Sequence, residues 1–117
     1  MIATRTPFAW GEADAEQELG PPLRRQVIQC ALSRICGVCA ESLGRPIAFL
    51  GTPEEAARNA FHCPPMHVTC AEDLRRHAGA DPRWGITTTS GFELVRPGRD
   101  DADPDVRFEP NSLLQDP

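Results

Sequence analysis

The 117-residue sequence has no lysine and no tyrosine, only two tryptophans and five phenylalanines, and no apolar run approaching the roughly eighteen residues of a membrane span. The missing run excludes a spanning helix, and the shortage of aromatic residues predicts a thin core for a chain of one domain's length. Twelve prolines and nine glycines exclude a long regular sheet or helical bundle, so much of the chain is expected to be turn and loop. The first twenty residues carry acids where a signal peptide carries its apolar stretch, which leads to the expectation of a cytoplasmic protein.

The cysteine count is odd. Five cysteines in a reducing compartment point to free thiols and metal thiolates rather than a disulfide framework. Charge is uneven along the chain: residues 1–22 sum to −3, residues 23–99 to +3 and residues 100–117 to −5, which together give the net −5. This divides the sequence into an acidic N-terminal segment (1–22), a central domain (23–98) and an acidic C-terminal tail (99–117). Because the middle is slightly basic, the overall acidity does not exclude a nucleic-acid partner.

Leu23, Val27 and Cys30 or Ala31 recur at helical spacing behind Pro21-Pro22, which predicts a helix over 22–34. Arg45 to Gly51 is a short apolar run between proline and glycine, a strand signal. Thr52-Pro53-Glu54-Glu55 has the form of a capping box and opens a helix over 53–60. Ala71 to Ala78 begins acidic, ends basic and stops at Gly79, matching the helix dipole at both ends. Trp84 to Thr89 and Gly91 to Val95 read as two strands of a hairpin around Ser90-Gly91. The acidic tail beyond Pro97 is expected to be mobile or laid over the surface.

Against this background one constellation carries chemistry. Cys36-Gly37-Val38-Cys39 places two thiols where a single turn, loosened by Gly37, can present both to one tetrahedral ion. His67-Val68-Thr69-Cys70 repeats the separation at a helix start, where the dipole favours a thiolate. The full pattern, C-x2-C-x27-H-x2-C, has the order of a treble clef: a two-cysteine turn, a strand, then a ligand pair at a helix N-terminus. The expected fold class is therefore α+β, a small zinc-stabilised, treble-clef-like domain with short strands, two or three helices and irregular acidic tails. Zn2+ is the expected cofactor, held by Cys36, Cys39, His67 and Cys70.

Other readings of the same residues stay open. Cys63 or His62 are alternatives to His67 as fourth ligand, although Pro64-Pro65 stiffens the chain beside them. Cys36, Cys39, Cys63 and Cys70 could hold an iron–sulfur centre, and Cys36 with Cys39 could act as a redox pair, although no βαβ pattern surrounds them. Cys30 reads as a small buried hydrophobe and His77 as a favourable charge at a helix C-terminus.

The segments Arg34-Ile35-Cys36-Gly37-Val38-Cys39 and Phe61-His62-Cys63-Pro64-Pro65-Met66-His67-Val68-Thr69-Cys70-Ala71 resemble a group of small actinobacterial and actinophage-associated proteins. Their shared feature is a zinc-finger-like CxVC…PPxHxxCA core. The resemblance covers about 30–78 and extends to the Phe92 to Pro97 strand. It implies zinc ligands at Cys36, Cys39, His67 and Cys70 and implies little about activity. Similar proteins often carry glycine at the position of Ala40.

Three functions follow from these features. The first is a non-catalytic interaction or adaptor protein, whose tail residues Phe8, Trp10, Phe108, Leu113 and Leu114 grip a protein partner from acidic segments. The second is a nucleic-acid-binding regulator using Arg24, Arg25, Arg75 and Arg76 on two helices. The third is an enzyme with a Cys/His site around His62, Cys63 and His67.

Overall fold

A computed structural model describes residues 7–10, 22–77, 79–102 and 105–111. It is a small mixed helix and strand domain with two short antiparallel sheets. In chain order the elements are α1 (Arg24–Ser33), β1 (Ile47–Gly51), α2 (Pro53–Arg58), α3 (Val68–Arg75), β2 (Gly85–Thr89), β3 (Phe92–Val95) and β4 (Arg107–Pro110). No helix among the described residues is long and apolar enough to cross a membrane.

Local chemistry sets most of these boundaries. α1 ends where Arg34 turns into the left-handed region at φ 52° and its N–H closes on the Cys30 carbonyl. α2 starts at a complete capping box: Thr52 Oγ1 accepts from the Glu55 N–H, and Glu55 Oε1 accepts from the Thr52 N–H at 2.9 Å. α3 begins at Val68, earlier than the acidic run at Ala71 suggested, because His67 takes the N-cap position and places Cys70 in the first turn.

The strands pair differently from expectation. β2 and β3 do not form a hairpin with each other. β2 lies antiparallel to β1, with Phe49 opposite Thr87, and β3 lies antiparallel to β4, with Leu94 opposite Phe108. Ser90-Gly91 is thus a corner where the chain passes from one sheet to the other. The Thr89 hydroxyl stabilises this corner by donating to the Gly91 carbonyl at 2.6 Å.

β1 is buried along its whole length, which accounts for its uninterrupted apolar sequence. The Phe49 ring lies 5.7 Å from Phe61, 5.6 Å from Phe92 and 5.6 Å from Phe108, so four of the five phenylalanines form one cluster between the sheets. Phe61 and Phe108 also exchange backbone hydrogen bonds of 2.9 and 2.8 Å, joining the loop before α3 to β4. Gly51 lies so close to this cluster that a Cβ there would run into the Phe61 ring.

These contacts correct two expectations about the acidic ends. Part of the C-terminal segment is a sheet strand, with Phe108 fully buried, and is not a surface tail. At the other end Ala9 and Trp10 are buried at 0% and 3% exposure, Trp10 bridges to Pro22, and the Leu23 N–H donates to the Ala9 carbonyl. Trp10 and Phe108 are therefore core residues rather than exposed anchors, because a chain so poor in aromatic residues needs them inside. Phe8 is half-buried against the same core, and Leu113 and Leu114 lie outside the described residues.

Replacing Phe108 with alanine opens a cavity at the junction of both sheets and is expected to cost ~3–5 kcal/mol. Denaturant unfolding followed by circular dichroism would measure the loss. A change within ~0.5 kcal/mol, as at an exposed tail position, would contradict this packing.

Candidate metal centre

The first half of the centre is a turn that closes on itself. After α1, the Cys36 N–H donates to the Glu41 carbonyl at 2.8 Å and the Ala40 N–H returns to the Cys36 carbonyl at 2.9 Å. Ala40 sits at φ 64°, a left-handed conformation that a β-carbon disfavours. Gly37 has a different role from the flexibility expected of it. Its φ is not positive, and it leaves room for Pro64, whose ring a Cβ would meet. The Gly37 N–H donates to the Pro65 carbonyl at 2.8 Å, so the buried Pro64-Pro65 segment fixes the turn against the strand that follows it.

The second half hangs from β1. Met66 exchanges backbone hydrogen bonds of 2.8 and 3.0 Å with Ala48, on the β1 edge opposite β2. The next residue, His67, is thereby held at the start of α3 and over the Cys36 turn. Its backbone N–H donates to Cys36 Sγ at 3.4 Å.

These two halves bring the ligand atoms of Cys36, Cys39, His67 and Cys70 within 4.8 Å of one another, a group that can hold a metal ion. The imidazole is oriented for ligation. Its Nε2 lies 2.9 Å from the Ser42 carbonyl, which only accepts, so Nε2 carries the proton. Nδ1 then keeps its lone pair and faces Cys39 Sγ at 3.4 Å and Cys70 Sγ at 3.7 Å. Two ligands about 2.3 Å and 2.05 Å from one tetrahedral zinc lie about 3.6 Å apart, and the observed separations fall on either side of that figure.

The thiols differ in environment. Burial works against a charge on Cys36, but the backbone N–H groups of Cys39, His67 and Val38 outweigh it and hold this thiol below its ordinary range. Burial and then the Cys36 charge push Cys70 up to about 12; burial also raises Cys39, with the Glu41 backbone N–H working against it and the Cys36 charge adding to it. The site thus favours one thiolate and resists the next two, a like-charge conflict that a divalent cation removes.

Cys63 and His62 are not part of this group. Cys63 is buried at 6% exposure, and burial followed by the charges of Glu55 and Asp81 pushes its thiol up. His62 pairs through Nδ1 with the Glu55 carboxylate, itself buried at 9%, and lines a cleft of about 130 Å³ with Pro22, Arg24, Val27, Asp105 and Val106. Cys30 is fully buried, and burial pushes its thiol up to about 12. Of the arginines read as nucleic-acid contacts, Arg76 is engaged with Asp73 at 3.0 Å, while Arg24, Arg25 and Arg75 lie exposed.

Two supports of the centre were not visible in the sequence reading. One is the Ser42 carbonyl. The other is the N-terminal segment, whose Phe8 and Ala9 N–H groups donate to the Val38 and Gly37 carbonyls at 3.1 and 2.8 Å. Both act through the backbone, so no residue type announces them. Comparison with protein-family models, curated proteins and solved structures found no match.

The left-handed Ala40 gives a direct test of the turn. Ala40→Gly is expected to raise stability by about 1 kcal/mol, as relief of the β-carbon clash exceeds the added chain entropy. A lower melting temperature for this variant than for the parent would contradict the turn geometry.

Proposed function

We propose that Cys36, Cys39, His67 and Cys70 hold one structural Zn2+ in a treble-clef-like arrangement, and that the protein acts without catalysis as an interaction or adaptor subunit. The observation carrying the zinc reading is the separation of His67 Nδ1 from two sulfurs, 3.4 and 3.7 Å, with Nε2 locked on the Ser42 carbonyl. Three sulfurs and one imidazole complete a tetrahedron, so a zinc ion there has no open position for substrate or water. The donor set also favours zinc over an iron–sulfur cluster, because Cys63 is buried outside the group that the three other thiols form. Apparent zinc affinities in such small sites are on the order of 10 kcal/mol, comparable to the whole net stability of a domain this size.

The adaptor reading needs a surface other than Trp10 and Phe108. α1 offers one, with Leu32 at 68% exposure on the same helix face as the exposed Arg25, seven residues earlier. An exposed leucine sharing a helix face with an arginine suits a protein partner bearing an apolar and acidic face.

Metal analysis of the purified chain is expected to return one zinc per chain. Cobalt substitution is expected to give the visible bands of a tetrahedral thiolate site. Stripping the metal with a strong chelator is expected to collapse the near-UV circular dichroism, and restoring zinc to recover it. A chain that is metal-free with its thiols reduced, yet keeps its full melting temperature, would refute the clamp. For the adaptor role, Leu32→Glu is expected to leave stability within ~0.5 kcal/mol while abolishing co-purification of the native partner. Unchanged co-purification would rule out this face.

A further inference from the structure

The three thiols of the centre are not equivalent, and their burial falls from Cys36 through Cys70 to Cys39. Cys36 is fully buried, and its sulfur accepts N–H groups from Val38 at 3.3 Å and His67 at 3.4 Å. Such bonds draw electron density from a thiolate and blunt it as a nucleophile. Cys70 is half-buried and, among the described residues, no backbone N–H donates to its sulfur. Cys39 is exposed, and Ala40 and Glu41 beside it are exposed as well. The centre is therefore closed on the Cys36 side and open to solvent on the Cys39 side. The remaining cysteines, Cys30 and Cys63, are sealed in the core at 0% and 6% exposure and lie outside the cluster.

We infer that Cys39 is a modification site: hydrogen peroxide oxidises it first, and Cys70 then closes a Cys39–Cys70 disulfide that expels the metal ion. This rests on the zinc reading above. In the first step the Cys39 thiolate attacks the peroxide O–O bond, forming a sulfenic acid and releasing hydroxide, which takes up a proton to become water. In the second, the Cys70 thiolate attacks the Cys39 sulfur, forming the S–S bond and displacing the sulfenic oxygen as a second water with one more proton. Two thiolates are oxidised by two electrons, and one peroxide is reduced to two waters. The sulfurs already lie within 4.8 Å, so no chain segment has to cross the molecule for a bond of about 2.05 Å to form.

The choice of Cys70 over Cys36 as second partner has a structural consequence. A Cys36–Cys39 bond would lie within one turn and leave the two halves of the centre unlinked. A Cys39–Cys70 bond joins the turn to the start of α3, closing a loop over thirty intervening residues, and so takes over the cross-link that the metal provides. Cys36 and His67 alone are too few ligands to retain zinc. Oxidation therefore exchanges one clamp for another and releases the ion from a chain that stays folded.

The test uses the full-length protein as purified, with its zinc content measured first. Hydrogen peroxide is added at increasing ratios while a chromophoric chelator reports free zinc, disulfides are mapped by non-reducing peptide mass spectrometry, and melting curves are recorded. One zinc is expected to appear per disulfide formed, with the disulfide at Cys39–Cys70, Cys30 and Cys63 unmodified, and reversal by a dithiol. The oxidised, zinc-free chain is expected to keep a folding transition that the chelator-stripped, reduced chain loses. Brief alkylation is expected to label Cys39 roughly tenfold faster than Cys36. A chain purified with reduced thiols and without zinc overturns the zinc reading and this inference together. Stoichiometric zinc that survives peroxide, a Cys36–Cys39 bond, or first reaction at Cys36 overturns this inference alone.

Discussion

The structure depends on the meeting of two backbone pieces far apart in sequence, the turn carrying Cys36 and Cys39 and the helix start carrying His67 and Cys70. Neither piece is held mainly by its own residues. The turn is fixed by the Pro65 carbonyl on Gly37, and His67 is placed by the exchange of hydrogen bonds between Met66 and Ala48 on the edge of β1. β1 is thus the common reference for both halves, and its full burial between the phenylalanine cluster and the rest of the domain makes that reference rigid. The packed core and the ligand cluster support each other: the core aims the ligands, and a bound cation would relieve the charge conflict that the ligands create.

The described parts of the acidic ends belong to the same body. Phe8 and Ala9 close over the turn between the two thiols, and β4 pairs with β3 and lends Phe108 to the cluster around Phe49. With seven aromatic residues in the whole chain, a design that left Trp10 and Phe108 in solvent would have too little apolar surface to bury. Charge composition separated the ends from the middle, whereas packing joins them, because a segment can be acidic on average and still contribute one large apolar side chain to the core.

The cluster is asymmetric in a way that bears on its chemistry. Backbone N–H groups gather on the buried sulfur of Cys36, and solvent reaches the sulfur of Cys39. A site built for stability alone would gain from sealing all three sulfurs. The open edge makes the cluster responsive to reagents in solution while Cys30 and Cys63, shut in the core, stay inert.

Much was legible in the residues alone. The capping box at Thr52 and Glu55, the apolar strand ending at Gly51 and the grouping of Cys36, Cys39, His67 and Cys70 follow from local rules: cap chemistry acts across three residues, and ligand pairs advertise themselves by spacing. What depended on partners distant in sequence was not legible. Ile86 to Thr89 and Phe92 to Val95 have strand-forming sequences, but a local pattern cannot say that each pairs with a remote strand rather than with the other. The Ser42 carbonyl that selects the His67 tautomer and the Gly37 and Val38 carbonyls that receive the N-terminal segment are backbone groups, identical in every residue. The sequence by itself determined which side chains can bind a metal and where α2 begins. Only the tertiary structure decided which sulfur is shielded and which exposed, because burial and hydrogen bonding at a site are properties of what the fold brings beside it.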